Sequence, residues 1–95
     1  MLPTDKAIRL DANLCIYRLV DEVVLYALDS KSTYLLSEWL AYAFGALMDA
    51  LNHSQQISIE IWLNTFQKAY DISTPEAMDL LQQLAELRVV KVVNR

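Results

Sequence analysis

The apolar positions of this chain change their period partway along. Between Leu14 and Leu36 they fall in three short runs, LCIYRLV, VVLYAL and TYLL. Asp21-Glu22 divides the first two. Asp29-Ser30-Lys31-Ser32 divides the second from the third, and it is rich in residues that hydrogen-bond their own backbone. β-branched and aromatic residues dominate the runs, so they read as strands over Leu14–Val20, Val23–Leu28 and Thr33–Leu36. Breaks this short predict an antiparallel meander. Inside/outside alternation is poor in Val23-Val24-Leu25-Tyr26. Either both faces of the sheet are covered, or one face serves for contacts.

From Ser37 onward the period is helical. Ser37 is the expected cap of a first helix over Glu38–Leu51, with Glu38 placing negative charge in the first turn. Trp39, Leu40, Tyr42, Phe44, Leu47, Met48 and Leu51 make this helix apolar nearly all round, so it needs neighbours on most of its circumference. Gly45 inside it costs roughly 1 kcal/mol of helix propensity relative to alanine, which points to close packing there. Asn52 to Gln56 is a polar connection. Ser58 then caps a second helix over Ile59–Tyr70, with Ile57 and Trp62 spaced as a hydrophobic staple. Thr74-Pro75 opens a third, a capping hydroxyl followed by proline at the first helical position. Its apolar stripe is Ala77, Leu80, Leu81, Leu84 and Leu87. Met78, Gln82 and Ala85 lie on a second face. Val89–Val93 reads as a short strand or a packed tail.

These elements predict an α+β fold: a three-stranded antiparallel sheet followed by three helices in a winged-helix-like order, with a short C-terminal strand. Ninety-five residues set a single domain, 1–95. Residues 1–13 mix Pro3, Asp5, Lys6, Arg9 and Asp11 among single apolar residues. They read as a flexible lead-in, in which Ile8 and Leu10 can pack or add a short strand.

Charge and cysteine usage narrow the function classes. The net charge is −4 with eight scattered Lys and Arg, whereas nucleic-acid binders carry a basic face against phosphate. Lone Cys15 cannot form an internal disulfide, which favours a reducing compartment. The N-terminus lacks a signal-peptide core, and Trp39–Met48 is far shorter than the roughly 20 residues that span a bilayer. The expectation is a soluble cytoplasmic protein with no membrane contact.

Candidate chemistry is sparse. His53 sits in a polar loop with no second ligand nearby, and a metal site needs three or four. Cys15, among Leu14, Ile16 and Tyr17, reads as a small hydrophobe rather than a nucleophile with a base beside it. A single glycine rules out a Gly-rich phosphate loop. Asp21 and Glu22 are adjacent in a strand-like stretch, so they point to opposite faces and make no catalytic pair. Trp39 and Trp62 sit on helical stripes and read as core. The expectation is a protein that is not an enzyme and carries no cofactor or metal.

Several stretches, taken in order, resemble a known family. Val23-Val24-Leu25-Tyr26 with its polar turn is similar to that family's second strand and hairpin. Leu36-Ser37-Glu38 leading to Ala43-Phe44 and Leu47 resembles its Leu-Asn/Asp-x-x-Ala opening of the first helix. Ile57-x-x-x-Ile61 and Tyr70-Asp71-Ile72 resemble its second helix and following link. Leu80, Leu84, Leu87 and Val89 resemble its third helix and close. The family is that of the PqqD-like peptide chaperones, also called recognition elements (RRE) of ribosomally synthesised peptide biosynthesis. The resemblance covers roughly Leu14 to Val93. It departs at Ser37, where Asn or Asp is common, and at Arg88, where glycine is frequent.

The resemblance implies that the chain binds the leader segment of a precursor peptide and presents it to a modifying enzyme. That enzyme is a radical SAM protein, a cyclase, a protease or an ATP-dependent ligase. The leader is expected to add as a strand along Thr33, Tyr34, Leu35 and Leu36 and to pack on the third helix. The residues fit such a mechanism on their own account. An exposed strand edge can take up a peptide backbone. Met78, Leu81, Gln82 and Ala85 at helical spacing can form the facing wall, and the adaptable Met78 suits a peptide groove. Leu81 fits core and groove equally.

Two alternatives stand beside this. One is a DNA-binding winged helix with the third helix in the major groove. That helix instead carries Glu76, Asp79, Gln82, Gln83 and Glu86, so no nucleic-acid partner is expected. The other is an assembly subunit that meets a folded partner, or a second copy of itself, through Trp39 and Tyr42 on the first helix.

Overall fold

A computed structural model describes residues 6–10, 13–52 and 54–94. The strands are β1 (Lys6–Leu10), β2 (Leu14–Arg18), β3 (Glu22–Ala27), β4 (Ser32–Ser37), β5 (Gln56–Ser58) and β6 (Val90–Asn94). The helices are α1 (Trp39–Leu51), α2 (Ile59–Ala69) and α3 (Thr74–Glu86). The fold is α+β, with two three-stranded antiparallel sheets ordered β2-β3-β4 and β5-β1-β6.

The first sheet is the expected meander. Its register explains the poor alternation. Val23, Leu25 and Ala27 point into the core, while Val24 and Tyr26 stand half-buried on the opposite face. On that outer face Tyr17, Val24 and Leu35 form one cross-strand row, and Tyr17 and Leu35 are exposed. On the inner face Ile16 pairs with Leu25 and Leu25 with Tyr34, beneath α1. Arg18 also lies on this side. Its guanidinium covers Gly45 and bonds the Asp49 carboxylate at 3.1 Å. The neighbour that comes close to Gly45 is thus a long side chain reaching over the helix.

The second sheet corrects the expected arrangement of one sheet plus a C-terminal strand. Lys6–Leu10, read as part of a flexible lead-in, is its central strand. It pairs with β5 through Ala7–Ser58 and with β6 through Lys6–Asn94 to Leu10–Val90. Ala7 and Ile8 are fully buried between these partners. The polar connection after α1 likewise ends in a strand. Residues 1–5, 11, 12, His53 and Arg95 lie outside the described residues.

The helix starts divide into expected and corrected. Ser58 caps α2, accepting from the Ile61 amide at 3.2 Å. Ser37 does not cap α1, because it is the last residue of β4 and pairs with Glu22. The cap position is Glu38, at φ 54° and ψ −124°, and its amide bonds Asp21 O instead. The cap of α3 is Ser73, one residue before the expected threonine. Ser73 Oγ accepts the Glu76 amide, as a helix cap does, and donates to Glu76 Oε1 at 2.7 Å. Thr74 Oγ1 instead accepts from Gln67 Nε2.

At the other end of α3 the Val89 amide bonds Leu84 O and the Arg88 amide bonds Ala85 O. Arg88 takes φ 63° between them, which makes a Schellman close with buried Leu84 and Val89 in the accompanying apolar positions. One core cluster joins all three helices to both sheets. Trp62, Phe44, Phe66, Leu47 and Leu84 lie at its centre, and Trp62 Nε1 donates to Ala43 O at 3.0 Å.

Candidate functional site

Among the described residues β4 is an outer strand of its sheet, joined to β3 on one side only. Tyr34 and Leu36 face inward, and Leu36 is buried. Thr33 and Leu35 face outward, Leu35 with 62% of its surface exposed. The predicted strand residues therefore form an accessible edge with alternating inward and outward side chains. Such an edge presents unpaired N–H and C=O groups along one side.

The predicted helical wall lies elsewhere. Met78, Leu81, Gln82 and Ala85 do share one groove on α3, closed by Ile59, Pro75, Asp79 and Val92. No residue of Thr33–Leu36 lines it, so the structure does not bring the two halves of the expected site into a single hollow. Helix geometry gives the reason: residues 78, 81, 82 and 85 share a face, and that face looks toward β6 and the start of α2. Leu81, only 3% exposed, is also part of the core.

A different face of α3 lies near the end of β4. Trp39 follows β4 after the single residue Glu38. It forms a cleft with Ile72, Glu76, Asp79 and Leu80. Leu80 was legible in the sequence as an apolar stripe position. Its neighbourhood with Trp39 was not, because it depends on how α3 crosses the molecule.

Trp39 is 43% exposed and Tyr42 half-buried, so the two expected partner-contact residues differ in standing. Tyr42 is held in place by neighbours within its own chain. Its ring stacks on Tyr70 with centroids 4.7 Å apart and planes 11° apart, and its hydroxyl donates to Asp21 Oδ1 at 2.9 Å. That hydrogen bond to a carboxylate, with smaller contributions from burial and nearby charge, raises the phenol above its ordinary value near 10. Trp39 packs edge-on against Tyr42, Phe66 and Tyr70 and leaves its remaining surface open. A second hollow that Trp39 also lines contains Leu19, Val20, Asp21, Glu22 and Glu38. Val20, at the tip of the β2–β3 turn, is 94% exposed.

Cys15 is a free, half-buried thiol. Among the described residues no group of three or more His, Cys, Asp or Glu stands close enough to hold a metal ion. Among them, too, no helix is long and apolar enough to cross a membrane. In comparisons with models of protein families, with curated proteins and with solved structures, nothing matches this chain.

Proposed function

We propose that this chain is a non-catalytic peptide-recognition domain of the PqqD-like kind, winged-helix-like in the order of its helices. It binds the leader of a ribosomally made precursor peptide and presents it to a modifying enzyme. The observation that carries the reading is the free edge of β4, with Leu35 and Thr33 outward and the Trp39–Leu80 cleft at its end. An extended peptide can pair its backbone with such an edge. Specificity then comes from side-chain contacts at the ends and faces of the added strand. The left-handed φ of Arg88 also fits the resemblance, since that is where the family often has glycine, the residue that adopts this conformation without strain.

Affinity on the order of micromolar, roughly −8 kcal/mol, is what a short strand addition gives after its ordering cost. DNA binding is the weaker reading. The exposed positions of α3 include Glu76, Asp79 and Glu86, which repel phosphate. The test is calorimetric titration with the precursor peptides encoded beside the gene, alongside a duplex-DNA control at physiological salt. Micromolar binding of one peptide and none of DNA is the expected result. Tight, sequence-dependent DNA binding would replace the reading.

A further inference from the structure

The two hollows that Trp39 lines share a chemistry that bears on which peptides the β4 edge can take. Leu19, Val20 and Tyr42 supply apolar surface in one, and Ile72 and Leu80 supply it in the other. Every charged group lining either hollow is a carboxylate: Asp21, Glu22 and Glu38 in the first, Glu76 and Asp79 in the second. Among the described residues no Lys or Arg lines either one. The carboxylates that have side-chain partners take hydrogen bonds from neutral donors, namely Tyr42 to Asp21, Ser73 to Glu76 and Gln83 to Asp79. Their negative charge is therefore not cancelled locally. Glu22 and Glu38 have no side-chain partner among the described residues. Both hollows share a part-exposed indole, that of Trp39, and an indole is the best aromatic partner for a cation.

Position links this surface to the strand edge. Ser37 is the last residue of β4, and Glu38 and Trp39 follow at once. A peptide strand added to β4 and continuing past Ser37 comes next to the residues that follow that strand, Glu38 and Trp39. We infer that the occupant there is a basic segment of the bound peptide, apolar residues interspersed with Arg or Lys, rather than an acidic or purely apolar one. Its aliphatic parts would cover Val20, Trp39 and Leu80, while its cations meet the carboxylate rim and the indole face. The inference rests on the proposal that β4 is the edge to which the peptide adds, and it specifies the substrate class of that site.

The experiment is a nuclear magnetic resonance titration of the full chain with three blocked octapeptides, alternating Val with Arg, with Ser or with Glu. The readouts are the Trp39 indole N–H and the amides of Ser32–Ser37. The Trp62 indole, buried and bonded to Ala43 O, serves as an internal reference. The Val/Arg peptide should shift both readouts. It should bind at least about tenfold tighter than the Val/Glu peptide, since several favourable contacts are exchanged for repulsive ones. Raised salt should narrow that ratio. The double variant Glu22→Gln/Glu38→Gln, which alters only surface charge, should weaken Val/Arg binding about fivefold and leave the Val/Ser peptide unaffected.

Equal affinity for the Val/Arg and Val/Glu peptides, with the β4 amides shifted by both, would overturn the charge inference while leaving strand addition standing. Shifts at Trp39 without any in β4 would show a basic ligand at this surface but refute strand addition, and with it the inference that the occupant continues an added strand. Concentration-dependent shifts of Trp39 in the absence of peptide would mean that a second copy covers this surface, which also overturns the inference.

Discussion

The guanidinium of Arg18 lies over Gly45 so closely that a Cβ built there would stand 2.9 Å from a guanidinium nitrogen. Leaving aside the helix's own backbone, the three nearest atoms such a Cβ would meet all belong to the far end of this one flexible side chain. The Arg18–Asp49 pair that would shift is about half exposed on both sides and contributes little. Gly45→Ala should therefore gain most of its helix propensity and stabilise the protein by about 0.5 kcal/mol. Urea denaturation followed by circular dichroism measures this. A loss of about 1 kcal/mol or more would mean that the space over Gly45 cannot yield.

Arg88 offers a second stability test. It occupies the left-handed position of the Schellman close after α3, where a Cβ costs roughly 1 kcal/mol and glycine incurs no such strain. Arg88→Gly should raise stability by about 0.5 kcal/mol after the greater freedom of glycine in the unfolded chain is counted. Thermal unfolding checks it, with Arg88→Val as the opposite control. A β-branched residue there should lower the midpoint.

Tyr42 gives a pH dependence of known sign. The hydrogen bond to Asp21 raises its folded-state phenol above the unfolded value near 10. The stability linked to this group is fully present below pH 10 and is lost as pH rises through the raised folded-state value. The stability difference between the wild type and Tyr42→Phe should therefore be constant from pH 7 to 9 and shrink above pH 10. Denaturation curves at those pH values decide it. A difference that stays constant through pH 11 would show that the hydroxyl is not coupled to Asp21 in solution.

The strands and helices with local signals were legible in the sequence, and the elements that depend on distant partners were not. The meander from Leu14 to Ser37 declares itself through two short polar breaks. Ser58 and Pro75 mark helix starts within a residue or so. Lys6–Leu10 gives no comparable signal, because Lys6 and Arg9 interrupt it and its partners, Gln56–Ser58 and Val90–Asn94, lie far along the chain. Ser37 looked like a cap because a serine before a helix usually is one. Pairing with Glu22 takes it into the sheet instead and leaves Glu38 in a positive-φ turn. The β4 edge could be read from strand order alone. The wall could not, because helical spacing groups Met78 with Leu81, Gln82 and Ala85 but does not say which face of α3 looks toward β4.

That last point can be settled by a pair of variants. Leu80→Gln places an amide in the Trp39 cleft at the end of β4, while Met78→Gln places one in the groove beside β6. For the leader encoded beside the gene, Leu80→Gln should raise Kd about tenfold through imperfect burial of the amide, and Met78→Gln should leave it within a factor of two. Calorimetry of both variants, with circular dichroism as the check on folding, measures this. The reverse order would move the peptide to the α3–β6 groove.

The central claim is that a peptide backbone pairs with β4, and amide hydrogen exchange reports on that pairing residue by residue. In the free protein, alternate amides of Ser32–Ser37 bond to β3 and the others point away from the sheet. With the leader peptide bound at saturation, the outward-pointing amides should slow at least about tenfold, and those already bonded to β3 should change less. A peptide that binds with micromolar affinity yet leaves every outward-pointing amide of β4 exchanging at its free rate would contradict strand addition.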